Sequence, residues 1–172
     1  MAYAVELRFD PAGTAAVAEL WAALDRLGET SLAASRHPVP HVSMAVFETC
    51  DPQRVERPLV GALARLLGLA LTLGSLGFFP GERAVAFLGV APSRPLMEGH
   101  RSVLGALEPG TAGVWDHYRL DALVPHCTLA MAVRDPSAVA AAVRPALPIV
   151  ALVAGAALVE VPTGRPLLDV VG

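Results

Sequence analysis

A seven-residue phrase occurs twice in this chain, and that repetition limits the folds open to it. Residues 39–45 read Val-Pro-His-Val-Ser-Met-Ala, and residues 124–130 read Val-Pro-His-Cys-Thr-Leu-Ala. Both copies hold Val, Pro, His, a hydroxyl residue two places after the His, a large apolar residue and Ala. Side chains on an extended strand alternate between faces, so His41 and Ser43 point the same way, as do His126 and Thr128. With only five His in 172 residues, the shared Pro and Ala make coincidence a poor account. The likeness continues downstream. Asp51-Pro52 follows His41 by ten residues and Asp135-Pro136 follows His126 by nine. Asp then Pro is a helix N-cap followed by the first helical position. Two apolar, strand-like segments come after each helix: Leu69–Phe79 and Ala84–Val90 in one half, Ile149–Val161 and Pro166–Val171 in the other. The unit is strand, capped helix, strand, strand, and the two His lie 85 residues apart. That offset exceeds a solenoid period and suits a duplicated half-domain.

The length of 172 residues suits one domain with a real core. Apolar residues make up 54% and the mean hydropathy is +0.53. No run of about 18 uninterrupted apolar residues occurs, so no membrane span is expected. The chain shows no basic segment leading into an apolar core at its start, so no secretory signal is expected either, and a cytoplasmic location is the default. Two Cys are too few for a disulfide framework. Cys127 alternates away from His126 and reads as a buried core thiol. All thirteen positive residues are Arg, the net charge is −3, and no basic run occurs. A protein that grips long nucleic acid carries a basic stripe, so a small phosphate-bearing substrate fits better than a long duplex.

Tyr3 to Phe9 alternates as a strand. Thr14 to Leu27 puts Val17, Leu20, Trp21, Leu24 and Leu27 on one helical face. Glu29 to Pro40 is a loop, Val42 to Phe47 a strand, and Pro52 to Leu67 a helix with Val55, Leu59, Leu63 and Leu66 inward. Two strands follow, joined by the turn Pro80-Gly81-Glu82. Pro92 to Leu107 is a helix, Trp115 to Leu123 an ambiguous segment read as a short strand, Cys127 to Val133 a strand, Pro136 to Leu147 a helix. Paired strands after each helix favour an α+β fold with antiparallel-rich sheets, helices outside and a central cleft. Residues 1–172 then form one two-lobed domain, with lobes of about 1–90 and 91–172. Val42, Met44 and Val46, with Cys127, Leu129 and Met131, face the core. His41, Ser43, His126 and Thr128 face the cleft.

The phrases His41-Val42-Ser43-Met44 and His126-Cys127-Thr128-Leu129 resemble the paired signatures of the two-histidine (2H) phosphoesterase superfamily, which includes 2′-5′ RNA ligase-like proteins and cyclic nucleotide phosphodiesterases. Ser43 stands where Thr is usual, with the hydroxyl kept. The resemblance implies a bilobal, pseudo-twofold fold and metal-independent, cofactor-free chemistry on 2′,3′-cyclic phosphates or related phosphodiesters. It implies His126 as base and His41 as acid in hydrolysis. Opening a cyclic phosphodiester needs an activated water on one side of phosphorus and a protonated leaving oxygen on the other. His supplies both roles because its ordinary pKa of about 6.5 allows one neutral and one charged copy. Ser43 and Thr128 would donate hydrogen bonds to the non-bridging oxygens. The expected partner is a small nucleotide or an RNA end, with no membrane and no long duplex; the oligomeric state is open. Two other classes share the cleft: a module that binds phosphate without turnover, and RNA end-joining, which calls for a larger basic surface.

The other His carry less. Pro38 and Pro40 deny His37 and His41 a helical metal-pair geometry, so His37 reads as a loop residue. His100 reads as a helix boundary residue. His117, Trp115 and Tyr118 read as an aromatic cluster in the core, with base stacking as the alternative. Arg8 and Arg83 could meet phosphate but read as surface residues. No Cys-x-x-Cys, His-Glu-x-x-His, P-loop or dinucleotide fingerprint occurs, so no metal site is expected.

Overall fold

The computed structural model describes residues 2–36, 38–161 and 163–172; His37 lies outside them. The elements in order are β1 (Ala2–Phe9), α1 (Pro11–Arg26), β2 (Thr30–Ser31), β3 (His41–Phe47), β4 (Thr49–Cys50), α2 (Pro52–Ala64), β5 (Ala70–Phe79), β6 (Val85–Val90), α3 (Arg94–Leu107), β7 (Thr111–Ala112), β8 (His126–Met131), α4 (Pro136–Val143), β9 (Ile149–Val161) and β10 (Pro166–Val171). The Asp-Pro signals start helices as expected. Asp51 accepts a hydrogen bond from the Gln53 amide at 3.1 Å, and Asp135 accepts from Ser137 and Ala138 at 3.0 Å. Asp10-Pro11 does the same for α1, through the Gly13 amide. Each such cap satisfies a helix-end donor and contributes about 1 kcal/mol. The segment Trp115–Leu123 is not a strand: Asp116–Tyr118 forms a 3-10 turn.

The fold is α+β, and every strand pairing is antiparallel. The main sheet runs β2-β8-β6-β5-β9-β1-β3, with β10 added on β9, and β4-β7 forms a separate pair. The repeats exchange strands. β3 of the first joins β1, and through it β9 and β10 of the second. β8 of the second joins β6 and β5 of the first. The two halves of the chain are therefore interleaved across the sheet rather than set side by side at residue 90. β9 is long enough to serve both arms: Ile149–Leu152 pairs with β5, and Val153–Val161 pairs with β1.

The helices cover one face of this sheet over a continuous core. Val17, Leu20, Trp21 and Leu24 of α1 are buried, as are Val55, Leu59 and Leu63 of α2 and Leu66 just beyond it. Leu27, expected on the same face, is 49% exposed because α1 ends at Arg26. Val42, Met44, Cys127 and Leu129 are buried in that core. Met131 is not; it ends β8 opposite Thr30 and is exposed. Val46 is buried on the other face, in a small cluster with Ala4, Ala157 and Val159.

A register shift explains Val46. β1 pairs Glu6 with Ser43 but Val5 with Ala45, so Met44 is an extra residue on β3. β6 pairs Phe87 with Thr128 but Ala86 with Ala130, so Leu129 is an extra residue on β8. A bulge of this kind twists a strand and resets its alternation. It falls at the same place in both copies of the phrase. Leu129→Ala empties a fully buried site and should cost about 2–5 kcal/mol in chemical denaturation; a loss under about 1 kcal/mol would show that the bulge residue does not anchor β8 in the core.

Candidate active site

The two His are held identically. The Nδ1 of His41 lies 2.6 Å from the Val39 carbonyl, and the Nδ1 of His126 lies 2.7 Å from the Val124 carbonyl. A carbonyl only accepts, so Nδ1 carries the proton and donates it in both rings. The Pro between each Val and His restricts the chain and is itself buried. This clamp fixes the same tautomer in both neutral rings, with the proton on Nδ1. His41, Ser43, His126 and Thr128 are all half-buried, while the residues between them are fully buried, as the alternation predicts.

The two motif strands meet. β3 and β8 contact each other although they are not ladder partners. The Cys127 side chain reaches the His41 backbone, and His41 is close enough to act electrostatically on His126. Burial pushes the Cys127 thiol up to about 12, which makes it the inert core residue expected. The Trp21 indole donates to the Thr128 carbonyl at 3.2 Å, tying β8 to α1.

The surroundings of the two His differ. Across from His41 and Ser43 stand Arg8 and Glu6 of β1. Across from His126 and Thr128 stand Gly89 and Phe87 of β6. Glu6 Oε1 is 3.5 Å from His41 Nε2, and its carboxylate is almost wholly buried. Arg8 lies 3.9 Å from Glu6 and 3.3 Å from Asp169 of β10. His126 instead meets the rings of Phe79 and Phe87 edge-on, with centroids 4.9 and 5.3 Å away. Gly77 leaves the space that the Phe87 ring fills. Burial lowers the His126 pKa; the Val124 carbonyl opposes this, and the His41 charge adds to it.

A cavity of about 250 Å³ opens beside His41 and Ser43. Ala4, Glu6, Val46, Trp115 and Val159 line it; His126 and Thr128 do not. Trp115 is therefore not a core residue: it is exposed and walls the cleft. His117 is exposed too, while Tyr118 is half-buried and hydrogen-bonded to Ser43. His100 is not at a boundary but fully buried. Its Nε2 donates to the Tyr118 carbonyl at 3.0 Å, so α3 holds the segment that supports Ser43. Burial lowers the His100 pKa, against the pull of the Tyr118 carbonyl. Arg83 lies exposed at the β5–β6 turn. Among the described residues, no three His, Cys, Asp or Glu gather as a metal ligand set.

A family model described as the 2′-5′ RNA ligase superfamily matches residues 9–165. The chain belongs to that superfamily. It is thereby a two-histidine phosphoesterase-type protein, as the paired phrases led one to expect. Solved structures share its fold. One described as a phosphoesterase has a TM-score of 0.58 at 19% identity, covering 98% of this chain and 96% of the other. Escherichia coli LigT complexed with ATP gives 0.55 at 19% identity, covering 98% and 95%. Kluyveromyces marxianus Usb1 gives 0.51 at 13% identity, covering 99% and 98%. No curated protein matches the chain.

His100 and His126 both prefer the neutral state in the folded protein. Their folded pKa values lie below the unfolded one, so below about pH 6.5 the unfolded chain binds protons that the native state refuses. Stability is then complete above the unfolded value and falls as the pH drops, by at most about 1.4 kcal/mol per pH unit for each His. Denaturant unfolding between pH 7.5 and 5 should show this decline, and His100→Gln should flatten it. An unchanged slope in that variant would mean that His100 accepts a proton in place.

Proposed function

We propose that the chain is a metal-independent phosphodiesterase that opens a 2′,3′-cyclic phosphate, or a related phosphodiester, on a nucleotide or RNA end. One observation carries this reading: two identically clamped imidazoles, each beside a hydroxyl, on two strands that meet. His126, neutral at Nε2, takes a proton from water as the water oxygen attacks phosphorus. The bond to the leaving oxygen breaks, and His41 gives that oxygen a proton. Ser43 and Thr128 donate to the non-bridging oxygens, where charge builds in the transition state. Tyr118 holds the Ser43 hydroxyl in place. The leaving oxygen of a cyclic phosphate stays on the ribose, so the nucleoside belongs on the His41 side, where Trp115, Val46 and Val159 line the cavity.

Several further observations support it. LigT was solved with ATP, and the yeast Usb1 was also solved with uridine monophosphate, so related folds hold nucleotides. With a net charge of −3 and no Lys, a short substrate suits this chain better than a long duplex. The two free thiols, Cys50 and Cys127, fit a cytoplasmic setting.

The test is hydrolysis of a panel of 2′,3′-cyclic nucleotides and cyclic-phosphate oligonucleotides with excess chelator. Wild type should turn over at least one of them. His41→Ala and His126→Ala should each lose about 10²–10⁴-fold in kcat, and Ser43→Ala or Thr128→Ala about 10²–10³-fold. Tight anion binding with no product, or near-normal turnover in either His variant, would overturn the assignment.

A further inference from the structure

The repeat holds the two His alike, but the space beside them differs. Beside His126 the protein fills it: Phe87 lies over Gly77 and stacks on Phe79, with centroids 4.2 Å apart. Beside His41 and Ser43 a cavity of about 250 Å³ stays open. We infer that this cavity is a nucleobase pocket, in which Trp115 stacks on the base and the Ser35 hydroxyl hydrogen-bonds its polar edge. This rests on the phosphodiesterase reading above and makes the base, as well as the phosphate, a recognised part of the substrate.

The walls are largely apolar. Ala4, Val46 and Val159 belong to the small cluster on this face of the sheet, and the bulge at Met44 is what turns Val46 toward it. The cavity is smaller than the about 300–1,000 Å³ of sites for drug-sized ligands, so it takes one ring system rather than a run of nucleotides. Trp115 forms a further wall and is 44% exposed. Its backbone is fixed at both ends: its amide donates to the Val46 carbonyl at 2.9 Å, and its carbonyl accepts from the Tyr118 amide at 2.9 Å. The Tyr118 carbonyl is in turn held by the buried His100. An indole presented by so firm a turn gives up little freedom when a ring stacks on it, and every base has a π-face to offer. Of the polar side chains on the walls, Glu6 faces His41, Ser43 meets Tyr118 and Glu160 is held by Arg165. The Ser35 Oγ is buried and has no hydrogen-bond partner. A buried hydroxyl left in that state is unfavourable. It can donate or accept, so the edge of a bound base supplies what it lacks.

A pair of substrates separates the base from the phosphate. One is a nucleoside 2′,3′-cyclic monophosphate; the other is glycerol 1,2-cyclic phosphate, which has the same five-membered phosphate ring and no base. Wild type should prefer the nucleotide in kcat/KM. Trp115→Ala should cut that preference by about 10–100-fold, mostly through KM. Ser35→Ala should cut it by about 3–10-fold, and Trp115→Phe, which keeps a π-face, should recover most of the loss. Equal losses on both compounds would show a merely structural role and overturn the assignment, as would a wild type that treats the two compounds alike. Binding can be read without turnover. Trp21 is buried, so a ligand in the cavity acts on indole fluorescence through Trp115, the second of the chain's two Trp. A nucleoside 3′-monophosphate should quench that emission and ribose 5-phosphate should not, and Ser35→Ala should weaken the nucleotide's binding by the same 3–10-fold, roughly. Equal quenching by the two compounds, or none by either, would overturn the base pocket. Absence of turnover in wild type would instead sink the phosphodiesterase reading, while the quenching still judges Trp115 and Ser35.

Discussion

One strand belongs to both arms of the sheet, and the cleft depends on it. β9 pairs with β5 through Ile149–Leu152 and then with β1 through Val153–Val161. Without that double membership the arm that holds β8 and the arm that holds β3 would share no ladder among the described residues. With it, β3 hangs from one arm and β8 from the other, and the two come into contact. The interface is apolar and buried, from Ala156 to Val159 on β9 and from Ala4 to Leu7 on β1 apart from Glu6. Hydrophobic burial along this seam therefore positions polar chemistry on its far face.

The repeated phrase can be read almost residue by residue. Val offers the carbonyl that accepts a hydrogen bond from Nδ1, and Pro holds the chain so that this carbonyl stays on the ring. His presents Nε2. Ser43 or Thr128, two places on, shares its face. Met44 or Leu129 is the extra residue of the bulge, and its side chain fills the core. Ala resumes the ladder. Val, Pro, His and Ala are identical in the two copies, and the hydroxyl recurs as Ser43 or Thr128.

Much of this was legible because it is local. Caps at Asp51 and Asp135, the inward faces of α1 and α2, and the face shared by His41, Ser43, His126 and Thr128 follow from periods of 3.6 and 2. What was hidden depends on partners far away in sequence. Alternation alone sent Val46 to the core side, because the bulge at Met44 is visible only once β1 is paired with β3. Met131 looked like a core residue because nothing local marks the end of β8. His100 looked peripheral because its partner, the Tyr118 carbonyl, lies 18 residues on in a turn. Trp115 looked like core because large aromatics usually are; here it walls the cleft. Glu6 sits in no motif. On β1 it reads as one charged residue on an exposed face, and only the pairing with β3 places its carboxylate against His41.

We propose that imidazoles from the two copies address one phosphorus atom. A crystal structure of the protein with orthovanadate, grown with chelator present, tests it most directly. A single vanadate should be bound by Nε2 of His41 on one side and Nε2 of His126 on the other, with the Ser43 and Thr128 hydroxyls on its equatorial oxygens. Vanadate touching one His alone, or seated elsewhere on the molecule, would contradict it.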